Sequence, residues 1–223
     1  MLKLGWGLHL INPNLSLILF SMFITFEGID YSGKSTQAKL LQEYFRKNRI
    51  KSILVREPGG TKISEKIRKI LLNREHLEML PLTEFFLFSA SRSQLVNEVI
   101  KPNLKRGVIV ICDRYYDSSS AYQGYGGKLD VKKVFEVNDF ATSGLTPDLT
   151  FFVSIPPQKA FSRAKKNKLD RMESKTLAFY KRVHDGFKKI ASKNQKRFVM
   201  LDGSKTVDEI HELIVKIVST RRH

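Results

Sequence analysis

Short runs of consecutive apolar residues alternate along the chain with longer stretches in which apolar residues recur every three or four positions. The short runs are typical of buried strands, and the longer period is typical of helices that bury one face. The predicted strands lie in these segments: MFITFEG, KSILVREPGG, GVIVICDRY, PDLTFFVSI and RFVMLDG. Because strands alternate with helices, we predict an α/β fold: a five-stranded parallel sheet between two helical layers.

No linker rich in proline, glycine or serine interrupts residues 22–223, so we predict a single domain there. The first strand must begin near Met22. Residues 1–21 are therefore expected to form an extension outside the fold, either disordered or upstream of a second start codon. The apolar run from Leu15 is far shorter than the roughly 20 residues of a membrane span, and no clear cleavage site follows it. We expect neither export nor membrane insertion.

Cysteine content and charge add two constraints. The single cysteine, Cys112, has no partner, which excludes an internal disulfide and favours a cytoplasmic location. The formal net charge of +17 favours anionic partners such as nucleotides, nucleic acid or a membrane surface. A generally lysine-rich proteome explains the same charge, so charge alone does not choose among these partners.

A glycine-rich stretch between the first strand and the first helix has the spacing Gly28-x-x-x-x-Gly33-Lys34-Ser35. In such a loop backbone N–H groups cradle phosphate oxygens, the lysine reaches the outer phosphates and the hydroxyl ligates Mg²⁺. The sequence therefore predicts a P-loop NTPase-type α/β/α fold. The predicted nucleotide-binding residues are Gly28, Ile29, Asp30, Tyr31, Ser32, Gly33, Lys34, Ser35 and Thr36.

Four further motifs follow this loop in a fixed order: REPGGT, LFSASR, DRYYDSSSAYQG and LDRME. Together with the phosphate loop they resemble the thymidylate kinase family from Met22 to the last predicted helix. The resemblance implies an enzyme that phosphorylates dTMP to dTDP with ATP and Mg²⁺. It also implies a homodimer formed through helices near Thr83 to Lys105, with no nucleic acid or membrane partner.

The resemblance assigns base recognition to side chains of two of these motifs. Phe88 is expected to stack on the pyrimidine, although a core position is the alternative for this ring. Arg92, one helical turn later, is expected to hydrogen-bond the base together with Ser119 and Gln123. Tyr122 is expected to pack under the deoxyribose and to exclude a 2′-hydroxyl.

The resemblance also assigns the groups that handle phosphate. Arg114 is implied to clamp the dTMP phosphate, and Asp113 to steady Mg²⁺ with Ser35, a structural hydrogen bond being the alternative for Asp113. Asp30 is expected near the sugar 3′-hydroxyl and the reacting phosphates, and Glu57 near the same region. The implied substrate-binding residues are Arg56, Glu57, Arg68, Phe88, Arg92, Arg114, Ser118, Ser119, Tyr122 and Gln123.

One position departs from part of the family. Some members carry an arginine in the phosphate loop where this chain has Tyr31, and others place the catalytic cation in a mobile lid. We predict the second arrangement, with a short helical lid at about residues 163–172 in which Arg163 and Lys166 share one helical face. The implied catalytic residues are Lys34, Asp30, Arg114, Arg163 and Lys166.

Two rival functions fit parts of the sequence. A nonspecific nucleic-acid-binding ATPase explains the charge and the phosphate loop, but it leaves the other four motifs without a role. A kinase for another nucleoside monophosphate explains most of the motifs and differs only in the acceptor base.

Overall fold

A computed structural model describes residues 21–164 and 170–221. The described strands form one parallel sheet in the order β2-β3-β1-β4-β5. Their bounds are β1 Phe23–Glu27, β2 Ser52–Arg56, β3 Ile109–Asp113, β4 Leu149–Ser154 and β5 Phe198–Asp202. Each lies within an apolar run predicted to be a strand, so the predicted five-stranded parallel sheet is confirmed.

Helices cover both faces of this sheet. Their bounds are α1 Lys34–Lys47, α2 Lys62–Leu72, α3 Pro81–Leu95, α4 Lys101–Lys105, α5 Tyr116–Ser119, α6 Val131–Thr142, α7 Pro157–Ser162, α8 Leu177–Lys193 and α9 Val207–Arg221. A π-helical segment, Val96–Ile100, joins α3 to α4, and a second one, Ser120–Gly126, extends α5. The α/β/α fold class is therefore confirmed.

Alternation along β1 divides the core into two sides. Ile24 and Phe26 face a cluster that contains residues of α1 and α9. Phe23 faces the opposite cluster, which contains Leu95 and Ile100 from the end of α3 and the segment after it. Consecutive strand residues point to opposite faces, so a strand that is apolar at every position needs helices on both sides.

The order of the strands brings three loops together. β1 lies between β3 and β4, and β2 pairs with the outer side of β3. Because all strands are parallel, the loops after β1, β2 and β3 open at the same edge of the sheet. That edge, beyond the carboxyl ends of the strands, is where open α/β sheets bind ligands.

The structure differs in detail from two of the predicted helical segments. The stretch from Thr83 to Lys105 is helical as predicted, but it contains the π-helical segment. Helix α7 ends at Ser162, so Arg163 follows the helix in a turn, and the expectation that it lies on a helical face is wrong. Lys166 and most of the predicted N-terminal extension lie outside the described residues. Among the residues described, no helix is both long and apolar enough to cross a membrane.

Candidate active site

The phosphate loop leaves β1 and enters α1 through backbone conformations that favour glycine. Gly28 has φ 144°, and a Cβ there would lie 2.7 Å from the Val153 carbonyl oxygen. Gly33, at φ 98°, directly precedes the helix. A helix N-terminus that opens from such a loop presents free N–H groups and the positive end of the helix dipole. The loop is therefore built to bind an anion.

Lys34 lies in the first turn of α1 with its side chain buried. Its Nζ donates to the Ile29 carbonyl oxygen at 3.4 Å and lies 3.9 Å from Asp30 Oδ1. Burial lowers the pKa of Lys34, and the positive charge of Arg114 lowers it further. Both contacts of this ammonium group are to the phosphate loop, and the Arg114 charge is near enough to affect it.

One cavity lies directly over the phosphate loop. It is lined by Tyr31, Gly33, Lys34, Ser35, Thr36 and Arg163. We call this the donor cavity. The Arg163 Nη2 atom donates to the Gly203 carbonyl oxygen at 2.9 Å, which holds this guanidinium beside the loop. Of the two cations predicted for the lid, Arg163 is therefore next to the phosphate loop in the described structure.

Two oxygens near the phosphate loop fit a divalent cation. Asp113 ends β3, and its Oδ1 is buried with no hydrogen-bond partner among the described residues. Ser35 is exposed to the donor cavity. Carboxylate and hydroxyl oxygens are ligands that Mg²⁺ prefers. A structural hydrogen bond was the alternative role for Asp113, and its Oδ1 makes none with the residues that the structure describes.

A second cavity opens beside the first, between the loops that follow β1, β2 and β3. Its lining residues are Asp30, Glu57, Pro58, Arg68, Leu72, Phe88, Arg114, Ser118, Ser119, Tyr122, Gln123, Asp170, Met172 and Glu173. We call this the acceptor cavity. It brings together most of the residues predicted to bind the substrate. Two of the predicted residues, Arg56 and Arg92, do not line it.

An arginine–carboxylate pair lines the acceptor cavity, and its carboxylate lies 3.9 Å from Lys34 of the donor cavity. The Arg114 guanidinium contacts Asp30, donates to the Gly28 carbonyl oxygen at 2.9 Å, and lies 5.1 Å from the centre of the Tyr122 ring. Its backbone φ of 72° is rare outside glycine. Such a backbone conformation is kept where the surrounding contacts fix it, which is common at functional sites.

Asp30 accepts hydrogen bonds from two tyrosine hydroxyls as well. Tyr122 Oη donates to it at 2.9 Å and Tyr180 Oη at 3.0 Å. Burial raises the pKa of Asp30, but the charges of Arg114 and Lys34 outweigh burial and lower it to about 2. Asp30 is therefore an ionised carboxylate at neutral pH, held beside both cations.

Arg92 lies behind the acceptor cavity, fully buried. Its Nε donates to Glu57 at 2.8 Å, its Nη2 to Ser119 Oγ at 2.6 Å and its Nη1 to Asn138 Oδ1 at 2.5 Å. All three nitrogens of this guanidinium are bonded to protein groups. Burial raises the pKa of Glu57, and the adjacent Arg92 charge opposes that rise.

The two remaining arginines of the predicted set differ in position. Arg68 lines the acceptor cavity and donates to the Pro58 carbonyl oxygen at 2.8 Å. Arg56 is exposed and pairs with Glu65 at 3.1 Å. Of these two arginines, Arg68 is the one that could reach an anion in the cavity directly.

Sequence reasoning missed several residues that shape the site. Glu27, the last residue of β1, accepts from the Tyr115 backbone N–H at 2.7 Å and from Ser118 Oγ at 2.5 Å. Tyr31 Oη donates to Glu173 at 2.9 Å and so links the phosphate loop to the chain after residue 169. A charged residue at the end of an apolar strand was a signal for Glu27. Tyr31 and Glu173 each lie in a motif of the sequence, but no local signal pointed to the contact between them, because they are 142 residues apart.

A phosphate loop at the end of a central strand, linked through Lys34, Asp30 and Arg114 to a second cavity, is the arrangement of a P-loop nucleotide-binding protein with room for a second ligand. The thymidylate kinase family matches residues 26–214. The chain therefore belongs to the thymidylate kinase family.

Individual relatives agree with this assignment. A thymidylate kinase of Kosmotoga olearia is 47% identical over 196 residues, which cover 87% of this chain and 94% of that protein. One of Caldanaerobacter subterraneus is 45% identical over 196 residues, covering 88% and 94%. The crystal structure of thymidylate kinase from Ehrlichia chaffeensis matches with a TM-score of 0.74 at 36% identity, over 90% of this chain and 99% of that one.

Proposed function

We propose that this chain transfers the terminal phosphoryl group of ATP, held in the donor cavity, to the phosphate of dTMP, held in the acceptor cavity. The activity is that of the family to which the chain belongs: it is an ATP-dependent dTMP kinase. The observation that carries the site assignment is the link between the two cavities. Asp30 contacts Arg114, which lines the acceptor cavity with it, and lies 3.9 Å from Lys34, which lines the donor cavity.

On the donor side the backbone of residues 28–36 binds the ATP phosphates, and Lys34 neutralises the outer ones. Arg163 supplies a further cation over the transferred group, supported by its place in the lining of the donor cavity. Lys166 remains a second candidate for that role. Mg²⁺ is assigned to Ser35 and Asp113, where it would offset charge on the ATP phosphates.

On the acceptor side Arg114 binds the dTMP phosphate, with Arg68 as its helper at the same cavity wall. Arg56 is retained in the proposed set only as a more distant positive charge, because it pairs with Glu65. Asp30 orients Arg114 and lies towards the sugar. Ser118 supports this arrangement, since its Oγ accepts from Arg114 Nη1 at 3.1 Å.

The base lies between Phe88, whose ring lines the cavity, and the polar groups of Ser119 and Gln123. Tyr122 packs against the deoxyribose. Arg92 lies outside the cavity lining, so we place its influence on the base through Ser119, to which it donates. Glu57, which does line the cavity, keeps Arg92 in position.

The acceptor oxygen of dTMP is already ionised at neutral pH, so no general base is needed. The protein's part is to align two anions that repel each other and to neutralise charge on the transferred group. Lys34, Arg114 and Arg163 supply that charge. Burial of Lys34 and the limited exposure of Arg114 strengthen their electrostatic effect, because less water screens them.

We also propose that the chain forms a homodimer and works in the cytoplasm. Adjacent helices α2, α3 and α6 expose large apolar side chains, among them Ile70, Leu82, Phe86 and Phe140. Leu82 and Phe86 lie one turn apart on α3, where the sequence also predicts the interface. Replacing Phe86 with glutamate is expected to give a monomer in light scattering. The buried, unpaired Cys112 is consistent with a reducing compartment.

The activity is tested by coupling ADP release to a spectrophotometric assay with dTMP, dUMP, dCMP, AMP and GMP in parallel. We expect dTMP to have the highest kcat/KM. A higher value with another monophosphate would show that this chain is a kinase for a different acceptor. ATP hydrolysis stimulated by nucleic acid, with no transfer to any monophosphate, would favour the nucleic-acid-binding ATPase.

A further inference from the structure

Three buried polar side chains form a line at the base end of the acceptor cavity. Gln123 Nε2 donates to Glu84 Oε1 at 2.9 Å, and Arg171 Nη1 donates to Glu84 Oε2 at 2.6 Å. Glu84 and Gln123 are 6% and 2% exposed, and Arg171 is 3% exposed. A carboxylate paired with an arginine only accepts hydrogen bonds. Gln123 must therefore turn its NH₂ group towards Glu84.

That constraint fixes which atom of Gln123 a ligand meets. The side chain lines the acceptor cavity, and its Oε1 makes no hydrogen bond within residues 21–164 and 170–221. An amide whose NH₂ is committed to a carboxylate presents its carbonyl oxygen on the other side. Gln123 is therefore held as a hydrogen-bond acceptor towards the cavity.

Pyrimidine bases differ at the group that such an acceptor would read. Thymine and uracil carry an N3–H donor between two carbonyl oxygens, whereas N3 of neutral cytosine is an acceptor. A fixed carbonyl oxygen thus pairs with the first two bases and opposes the third. Discrimination of this kind is large, because a wrong base leaves buried polar groups unpaired.

We propose that Glu84 is a positioning residue that sets base selectivity by locking the Gln123 amide with its oxygen towards N3–H of the base, and that Arg171 holds Glu84 for this purpose. The proposal rests on the proposed function, in which Gln123 contacts the base. Arg171 is itself anchored, since its Nε donates to the Leu71 carbonyl oxygen at 2.7 Å. Its neighbours Asp170 and Met172 line the cavity, so the positioning pair spans from α3 to the chain after residue 169.

The substitution Glu84→Gln tests this assignment. The new amide oxygen would face the charged Arg171 donor, which turns its NH₂ group towards Gln123. Gln123 then rotates to offer its oxygen to residue 84 and its NH₂ group to the base. We expect the ratio of kcat/KM for dTMP over dCMP to fall by about tenfold to 100-fold. The ratio for dTMP over dUMP is expected to stay unchanged, because both bases carry N3–H.

The two ratios separate positioning from general damage. The matched control is Asp117→Asn, which disrupts another buried carboxylate–arginine pair, with Arg197 at 2.7 Å. It is expected to lower stability and to leave both ratios as in wild type. If Glu84→Gln leaves the ratio of dTMP over dCMP unchanged, or lowers both ratios equally, the positioning role is wrong.

Two more variants keep the proposal testable if Glu84→Gln does not fold. The double substitution Glu84→Gln with Gln123→Glu exchanges the positions of the amide and the carboxylate. The carboxylate then stands at position 123 and again presents an acceptor oxygen to N3–H of the base. We expect it to prefer dTMP over dCMP, and a preference for dCMP would overturn the proposal. Gln123→Ala tests the underlying site: if it leaves the KM for dTMP unaltered, Gln123 does not contact the base and the proposed site itself is wrong.

Discussion

The donor cavity and the acceptor cavity are built in different ways. The donor cavity lies over the turn that enters α1, and Gly33, Ser35, Thr36 and Arg163 in its lining are exposed. The acceptor cavity is held by three ion pairs of limited exposure: Arg114 with Asp30, Arg92 with Glu57, and Arg171 with Glu84. Phosphate is common to all nucleoside triphosphates, so backbone N–H groups suffice to bind it. A particular base and sugar require side chains fixed in one orientation.

The ion pairs of the acceptor cavity have an energetic cost. Removing two charges from water is expensive, and the attraction between them offsets that cost only when further hydrogen bonds complete the pair. Arg92 meets this condition with its bonds to Ser119 and Asn138. We infer that these pairs contribute mainly to the geometry of the acceptor cavity, and only modestly to net stability.

The largest effect is expected on the donor side. Arg163→Ala should lower kcat by about 10³ to 10⁵, the range for a cation that stabilises the transferred phosphoryl group, with little change in either KM. Steady-state kinetics with saturating ATP and dTMP measure it. Lys159→Ala, which removes an exposed cation from α7, is the matched control and should have almost no effect.

The same prediction has a second arm. Tyr31 lines the donor cavity with Arg163, so an arginine placed there can reach the same phosphates. In the Arg163→Ala background, Tyr31→Arg should restore part of the lost kcat. A kcat for Arg163→Ala within about tenfold of wild type would mean that the cation comes from elsewhere, with Lys166 the first candidate.

The next effect is on the acceptor side. Arg92→Met leaves the buried Glu57 carboxylate without its partner, which is expected to cost about 3–5 kcal/mol of unfolding free energy. The KM for dTMP should also rise while the KM for ATP stays the same. Urea melts and steady-state kinetics give both values. Arg197→Met, at the pair with Asp117 away from the acceptor cavity, should lose stability without raising the KM for dTMP.

The next prediction concerns how stability depends on pH through Glu27, which bonds to Ser118 of the acceptor cavity. Burial, with the nearby charge of Asp117, raises the pKa of Glu27 from 4.5 in the unfolded chain to about 8 in the folded one. Between these values the folded state binds a proton that the unfolded state does not, so this contribution to stability is full below pH 4.5 and is lost as the pH rises to about 8.

Glu27→Gln should therefore flatten the fall of Tm between pH 5 and pH 8 in calorimetry. Glu136→Gln, at an exposed position of α6, should leave the wild-type slope unchanged. An identical slope in wild type and Glu27→Gln would mean that Glu27 is ionised throughout this range.

The smallest effect concerns the sugar end of the acceptor cavity. Tyr122→Phe removes a hydrogen bond to Asp30 but keeps the ring, so dTMP should bind more weakly by about 0.5–1.5 kcal/mol. Tyr122→Ala should be worse, because the ring contact is also lost. Comparing the KM for dTMP in both variants measures the two contributions. Equal values would show that the ring makes no contact with the sugar.

The sequence predicted the sheet well because each strand is a short apolar run bounded by loop residues, a signal that local reading detects. It also predicted the phosphate loop, because the spacing of Gly28, Gly33 and Lys34 is a local signal as well. It was weaker on Arg92, since spacing can place a residue on a helical face but cannot show that Glu57, Ser119 and Asn138 occupy its nitrogens. Contacts between distant segments, such as that of Tyr180 with Asp30, leave no local trace.

Helix α9 closes the face of the sheet on which α1 lies, and this has a consequence for how the chain is made. Gln37 Nε2 donates to the Val207 carbonyl oxygen at 2.8 Å, although the two residues are 170 positions apart. Leu41 and Ile214 share one core cluster. During synthesis, α1 leaves the ribosome long before the helix that covers it. An unfinished chain must therefore expose the apolar face of α1, which makes stalled or truncated products targets for chaperones and proteases.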